Sequence, residues 1–275
     1  MPRWTVDTAT TLDFDGVVAL KVRAISGSVA VLSTSERPCL DVASVTGQPL
    51  LVSHEAGILT VTYPDLSWEG LMGWLRPDGH AANITIAVPK DCPAQVGTVS
   101  ASSLVSGIDA KTAVRSLSGG ITLDGVTGRV AADTVSGVVD AHRLSGQVGF
   151  KSVSGDLTLA DSRLKQLEAK TLSGRITADL AETCGALKIT TVSGPVIIRL
   201  PADASTEVHV RSTAGRVLSE VPGLDAAGYP GSNTLTGTLG TGSGRLSVTT
   251  MSGQVTLLER GDPGTPGPRT EGDAA

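Results

Sequence analysis

The chain has 275 residues, 33 of them glycine and only 3% aromatic, and Lys+Arg 22 against Asp+Glu 27 leave a net charge of −5. A core with so few rings has to be thin and aliphatic. With no run of basic residues the sequence argues against a nucleic-acid or anionic-membrane footprint, and no window approaches the roughly 18 apolar residues of a membrane span.

Met1 to Gly16 carries Asp7, Asp13 and Asp15 and lacks the apolar stretch of a secretory signal. The cysteines, Cys39, Cys92 and Cys184, are odd in number and far apart, which fits neither a disulfide framework nor a zinc site. The expected compartment is the cytoplasm.

Taken in order, the chain first shows short alternating segments around Gly16 (Phe14, Val18, Leu20) and Gly27 (Ile25, Val29, Val31), then weaker ones around Gly47 and Gly57. Residues 1–95 read as an irregular N-terminal β section. Within it, Pro64 to Ala82 breaks the alternation. This segment holds Trp68, Leu71, Met72 and Trp74, and one helical turn would gather Trp68, Leu71, Met72 and Leu75 at i, i+3, i+4 and i+7. Loops of this length are often functional. Two readings stand: the aromatics plug an open end of the fold, or Trp68, Leu71, Met72 and Trp74 form an interaction surface for another protein or a peripheral membrane contact. Ile84, Ile86 and Val88 then restore the alternation, and Pro89 ends that strand.

From residue 96 to 258 the pattern becomes a repeat. Gly119, Gly128, Gly137, Gly146 and Gly155 stand nine residues apart, and Gly174, Gly194, Gly215, Gly237 and Gly253 extend the series at wider spacing. Around the nine-residue glycines, apolar residues recur at −2, +2 and +4, the period of a strand with one face inward. The hydroxyl at −1 points outward. Since nine is odd, a corner must restore the alternation, and polar pairs such as Asp133 with Thr134 sit where it falls. One such module cannot bury its own apolar face, so modules must stack. The fold expected is therefore all-β, a single-stranded β-solenoid, β-helix-like, with about 18–21 residues per coil. An antiparallel meander is the alternative. Residues 1–258 form one domain, and 259–275, with three prolines and little that is apolar, read as a disordered tail.

No chemistry emerges from the residue types. The positions after the glycines (Arg129, Val138, Gln147, Asp156, Arg175, Pro195, Arg216, Arg245, Gln254) mix charges and build no carboxylate ladder. His54, His80, His142 and His209 lack metal-ligand spacing. The recurrent serines have no histidine beside them to act as a base, so turn formation and hydrogen bonding between modules is their expected role. Catalytic, cofactor-binding and metal residues are each expected to be none.

The repeated units LSGQVGFKSVSGDLTL, KTLSGRITADL, TTVSGPVIIRL and GTGSGRLSVTTMSGQVTLLE resemble the bacterial adhesin-candidate family of β-strand-repeat proteins of unknown function, whose domains are called toastrack-like. The resemblance covers most of residues 12–258. It implies a stack of β-strands with no established catalytic residues. The adhesin label implies export, a point on which the N-terminus departs. The expected function is thus a non-catalytic scaffold or protein-interaction module. A self-assembling, filament-like β-helix protein and a carbohydrate-active β-helix enzyme are the alternatives.

Overall fold

The computed structural model describes residues 3–63, 79–229 and 232–260. Among these residues the protein is all-β, with 25 strands. The N-terminal section contributes β1 (Arg3–Val6), β2 (Thr10–Asp13), β3 (Ala19–Ala24), β4 (Ser26–Thr34), β5 (Cys39–Thr46), β6 (Leu50–Glu55), β7 (Ile58–Thr62) and β8 (Ala81–Pro89). The repeat region follows with β9 (Ala94–Thr98), β10 (Ser102–Ser106), β11 (Thr112–Ser116), β12 (Ile121–Asp124), β13 (Thr127–Thr134), β14 (Val139–His142), β15 (Ser145–Lys151), β16 (Leu157–Thr171), β17 (Ile176–Leu180), β18 (Ala186–Thr191) and β19 (Val196–Leu200). The C-terminal part adds β20 (Thr206–Ser212), β21 (Val217–Ser219), β22 (Asp225–Tyr229), β23 (Ser232–Leu239), β24 (Gly244–Thr250) and β25 (Val255–Glu259).

The strands pair along two ladders. β9, β11, β13, β15, the second half of β16 and β18 follow one another in the first. β10, β12, β14, the first half of β16, β17 and β19 follow one another in the second. All these pairings are parallel, whereas a meander would make them antiparallel. Ile121 lies opposite Val139, 18 residues on, and Ile176 opposite Val196, 20 residues on. One repeat is therefore two nine-residue modules, one strand in each ladder.

Alternation along each strand sets the core. Ile121, Val139, Leu157, Ile176 and Val196 are in register on the second ladder. Val130, Val148, Leu167 and Leu187 do the same on the first. Every one of them is buried. Each fully buried Val or Leu contributes roughly 1.5–3 kcal/mol, so the two aliphatic columns are the main source of cohesion.

Both ends depart from sequence order. At the N-terminal end β3 lies between β7 and β9, and β4 between β8 and β10, parallel to each. Antiparallel strands close that end: β7, β6 and β1 in one ladder, β8, β5 and β2 in the other. There Trp4 meets Phe14 edge-on at 5.5 Å between ring centroids, and Phe14 meets His54 at 5.7 Å. At the other end β24 lies between β18 and β20, and β25 between β19 and β21. The last strands of the chain thus occupy the interior of the stack, and antiparallel β23 and β22 follow outside β20.

Some expectations fall at the margins of this description. Trp68, Leu71, Met72 and Trp74, with the helical turn expected there, lie outside the described residues, as does the tail from residue 261. β25 runs through Glu259, and the Arg260 guanidinium reaches Asp161 at 3.0 Å and Asp179 at 3.5 Å.

Candidate interaction surface

The nine-residue modules are of two kinds. In one kind the residue two before the glycine is buried, as for Val126 and Leu144; in the other it is exposed, 42% for Val135 and 47% for Val153. The expectation of a uniformly inward −2 position is corrected here. The odd module length flips the parity of alternation, and the two corners of a repeat restore it differently. Where a strand of the first ladder begins, Gly128 and Gly146 adopt φ of +103° and +107°. Such angles strain any residue with a Cβ.

The opposite corner contains Gly119, Gly137, Gly155, Gly174, Gly194, Gly253 and Gly215, stacked in that spatial order. A Cβ on each would run into the carbonyl oxygen of the residue beneath it: Ala101 under Gly119, then each glycine under the next. Three residues before each glycine stands a Thr or Ser, buried in every copy but Ser152, which is half-buried. Its hydroxyl accepts the glycine N–H in Thr134 to Gly137 (2.9 Å), Ser152 to Gly155 (2.7 Å) and Thr171 to Gly174 (3.0 Å). This pattern repeats at Gly194, Gly215 and Gly253. The serine just before the glycine faces outward, and both its N–H and its hydroxyl donate to one carbonyl of the neighbouring repeat. Ser136 bonds Leu117 O, Ser154 bonds Val135 O, and Ser193 bonds Leu172 O in this way. These hydroxyls tie one repeat to the next.

The residue between the two hydroxyls has nowhere to go but solvent. Leu117, Val135, Val153, Leu172, Val192 and Met251, exposed by 38–61%, therefore form one continuous ridge. The serine N–H of each repeat bonds the carbonyl of the ridge residue one repeat back, which proves the stacking. At roughly 4.8 Å per strand the ridge is about 24 Å long.

Charge is ordered around it. Two positions before the ridge, on the outward side of the first ladder, Arg115, Asp133, Lys151 and Lys170 stand in register, and Arg211 follows further along the same row. Arg115 pairs with Asp133 at 3.4 Å and Lys170 with Glu168 at 2.6 Å. On the far side of the ridge stand Val138, Asp156, Arg175, Pro195, Gln254 and Arg216, with the Arg175 N–H donating to Asp156 Oδ1. The outward face of the second ladder differs: Asp13, Asp41, Asp124, Asp140 and Asp179 outnumber the cations there, with Arg143 paired to Asp124 and Arg199 in register with Asp179. The sequence shows no basic run because register, not adjacency, brings these cations together.

The remaining candidates are dispersed. The positions after the glycines separate into two columns, Arg129 with Gln147 on the first ladder and Val138 with Asp156 at the second. Gly237 lies apart from the glycine column, opposite Val208 in antiparallel β23. His80 Nδ1 accepts the Gln48 N–H, His209 pairs with Glu207, and His142 is exposed. The Glu207 carboxyl is held below its usual range by hydrogen bonds from His209 and Arg245. Burial pushes the Cys92 thiol up to about 11, and raises that of Cys184, so neither is a ready thiolate at neutral pH. Among the described residues no group of three or more His, Cys, Asp or Glu is placed to hold a metal.

Two parallel ladders of short strands, stacked by a recurrent Ser-Gly corner, define an all-β repeat protein. The profile of the Toastrack DUF4097 family matches residues 47–258, and the chain belongs to that family. No curated protein matches it. Solved structures that resemble it include a candidate adhesin from Parabacteroides distasonis (12% identity, 92% of this chain and 96% of that one, TM-score 0.44). A candidate lipid-binding protein from the same species (11%, 92% and 97%, 0.40) and a candidate adhesin from Parabacteroides merdae (12%, 92% and 96%, 0.35) resemble it as well.

Proposed function

We propose that the protein is a non-catalytic β-solenoid scaffold whose outer surface is its binding site. The observation that carries this reading is the corner itself. Its hydroxyls are engaged in holding repeats together, while the aliphatic side chain beside them is left in water on successive repeats. The solenoid geometry is supported by parallel pairing at offsets of 18 to 20 residues in both ladders. Exposed apolar positions in an unbroken line are a feature of recognition surfaces.

Crosslinking in the native cell tests this, comparing the full chain with a Leu172→Ser/Met251→Ser variant. Loss of crosslinked species in the variant, with its thermal melt unchanged, supports a binding scaffold. Unchanged crosslinks remove the ridge from the function, and turnover of any glycan in a substrate panel overturns the non-catalytic reading.

A further inference from the structure

We propose that the Ser-Gly corner docks edge-on against an anionic lipid surface, its aliphatic ridge entering the headgroup layer and the flanking cations meeting phosphates. This rests on the reading of the surface as a binding site and names what it binds.

Two independent features converge there. The first is the ridge from Leu117 to Met251, one exposed side chain per repeat. The second is the positive balance on both flanks. Arg115, Lys151, Lys170 and Arg211 outnumber Asp133 and Glu168 on one side. Arg175 and Arg216 outweigh Asp156 on the other. An apolar line bordered by Lys and Arg is the pattern of interfacial membrane binding, in which buried apolar area and attraction to anionic lipid act together. In a chain of net charge −5, that local positive balance is matched by an acidic second-ladder face. An anionic surface therefore repels that face and turns the corner toward itself.

The same charges decide between occupants. Two copies placed ridge to ridge would set cation rows against cation rows, so a second copy is disfavoured at ordinary ionic strength. A soluble polyanion would use the cations but has no use for the aliphatic line. A lipid surface uses both.

Co-sedimentation with vesicles tests the proposal, using the full chain and vesicles of phosphatidylglycerol with phosphatidylcholine against phosphatidylcholine alone. The chain is expected to bind the anionic vesicles at least tenfold more tightly than the neutral ones. Lys151→Glu/Lys170→Glu should weaken that binding by about tenfold or more, and Leu172→Ser/Met251→Ser by a comparable factor. Leu218→Ser, an exposed leucine on the second ladder, should change nothing. All four substituted ridge and flank positions are exposed, and thermal melts confirm that each variant folds. Absence of vesicle binding, or binding by the ridge or charge variant as tight as that of the native chain, overturns the proposal. If vesicles are ignored while cellular crosslinks still vanish in the ridge variant, the lipid assignment falls and the scaffold reading stands.

Discussion

At the scale of single residues, the corner depends on what is missing. A Cβ at Gly155 would collide with the Gly137 carbonyl oxygen, with Ser152 Oγ at 2.9 Å and Thr134 Cγ2 at 2.9 Å also in the way. The obstructing oxygen belongs to backbone already committed to the stack, so it cannot step aside cheaply. Gly120, the residue next to Gly119 of the same column, has nothing nearer than the Val138 oxygen at 3.9 Å and no positive φ. Gly155→Ala is therefore expected to cost about 3 kcal/mol, lowering the melting temperature by about 8 °C. Gly120→Ala should stay within about 0.5 kcal/mol of the native chain. Calorimetry on the two variants decides, and equal melting temperatures would refute the steric account. The recurrence of glycine was legible from spacing, but its division was not: the nine-residue series runs Gly128 and Gly146 together with Gly137 and Gly155, which the structure places at a different corner. Nor was the partner hydroxyl legible: Thr134 reads as half of a polar pair with Asp133, and nothing local shows that it turns inward to receive the Gly137 N–H.

At the scale of strands, the glycine spacing signalled stacked modules with about 18–21 residues per repeat, but the two-ladder pairing and the order in space were not legible in it. Met251-Ser252-Gly253 reads as the closing copy of the repeat, since it comes last. In the structure β24 and β25 pair on both sides, with Ile189 opposite Val248 and Val196 opposite Val255 on one flank and Val210 and Val217 on the other. The Met251-Ser252-Gly253 corner is chemically like those before it, so the repeat itself gives it no address; the intervening antiparallel β22 and β23 supply the detour. Hydrogen exchange gives a direct check. The amides of Leu246, Val248 and Val255 should exchange as slowly as those of Ile189 and Val196, unlike an ordinary chain end. Fast exchange at β24 with slow exchange at β18 would contradict the insertion.

At the scale of the molecule, the question is what keeps a stack of strands finite. Its terminal strands are short: β1 and β2 span four residues each and β21 three. Antiparallel pairs cover three of the four ladder ends, at β6 with β1, β5 with β2 and β23 with β22. Short, covered edges are poor templates for another copy, which speaks against filaments built end to end. Among the described residues the exposed ridge offers a further route to self-association, and the cation rows oppose it. At about 0.15 M salt the chain is expected to be a monomer of 27.9 kDa by light scattering. The Debye length there is about 8 Å, falling to about 3 Å at 1 M. Repulsion between the rows would then be screened while apolar attraction is undiminished, so dimers should appear at high salt and vanish in Leu172→Ser/Met251→Ser. Dimers that form at low salt and dissolve as salt is raised would show that charges attract rather than separate the copies, reversing the role given to Lys151 and Lys170.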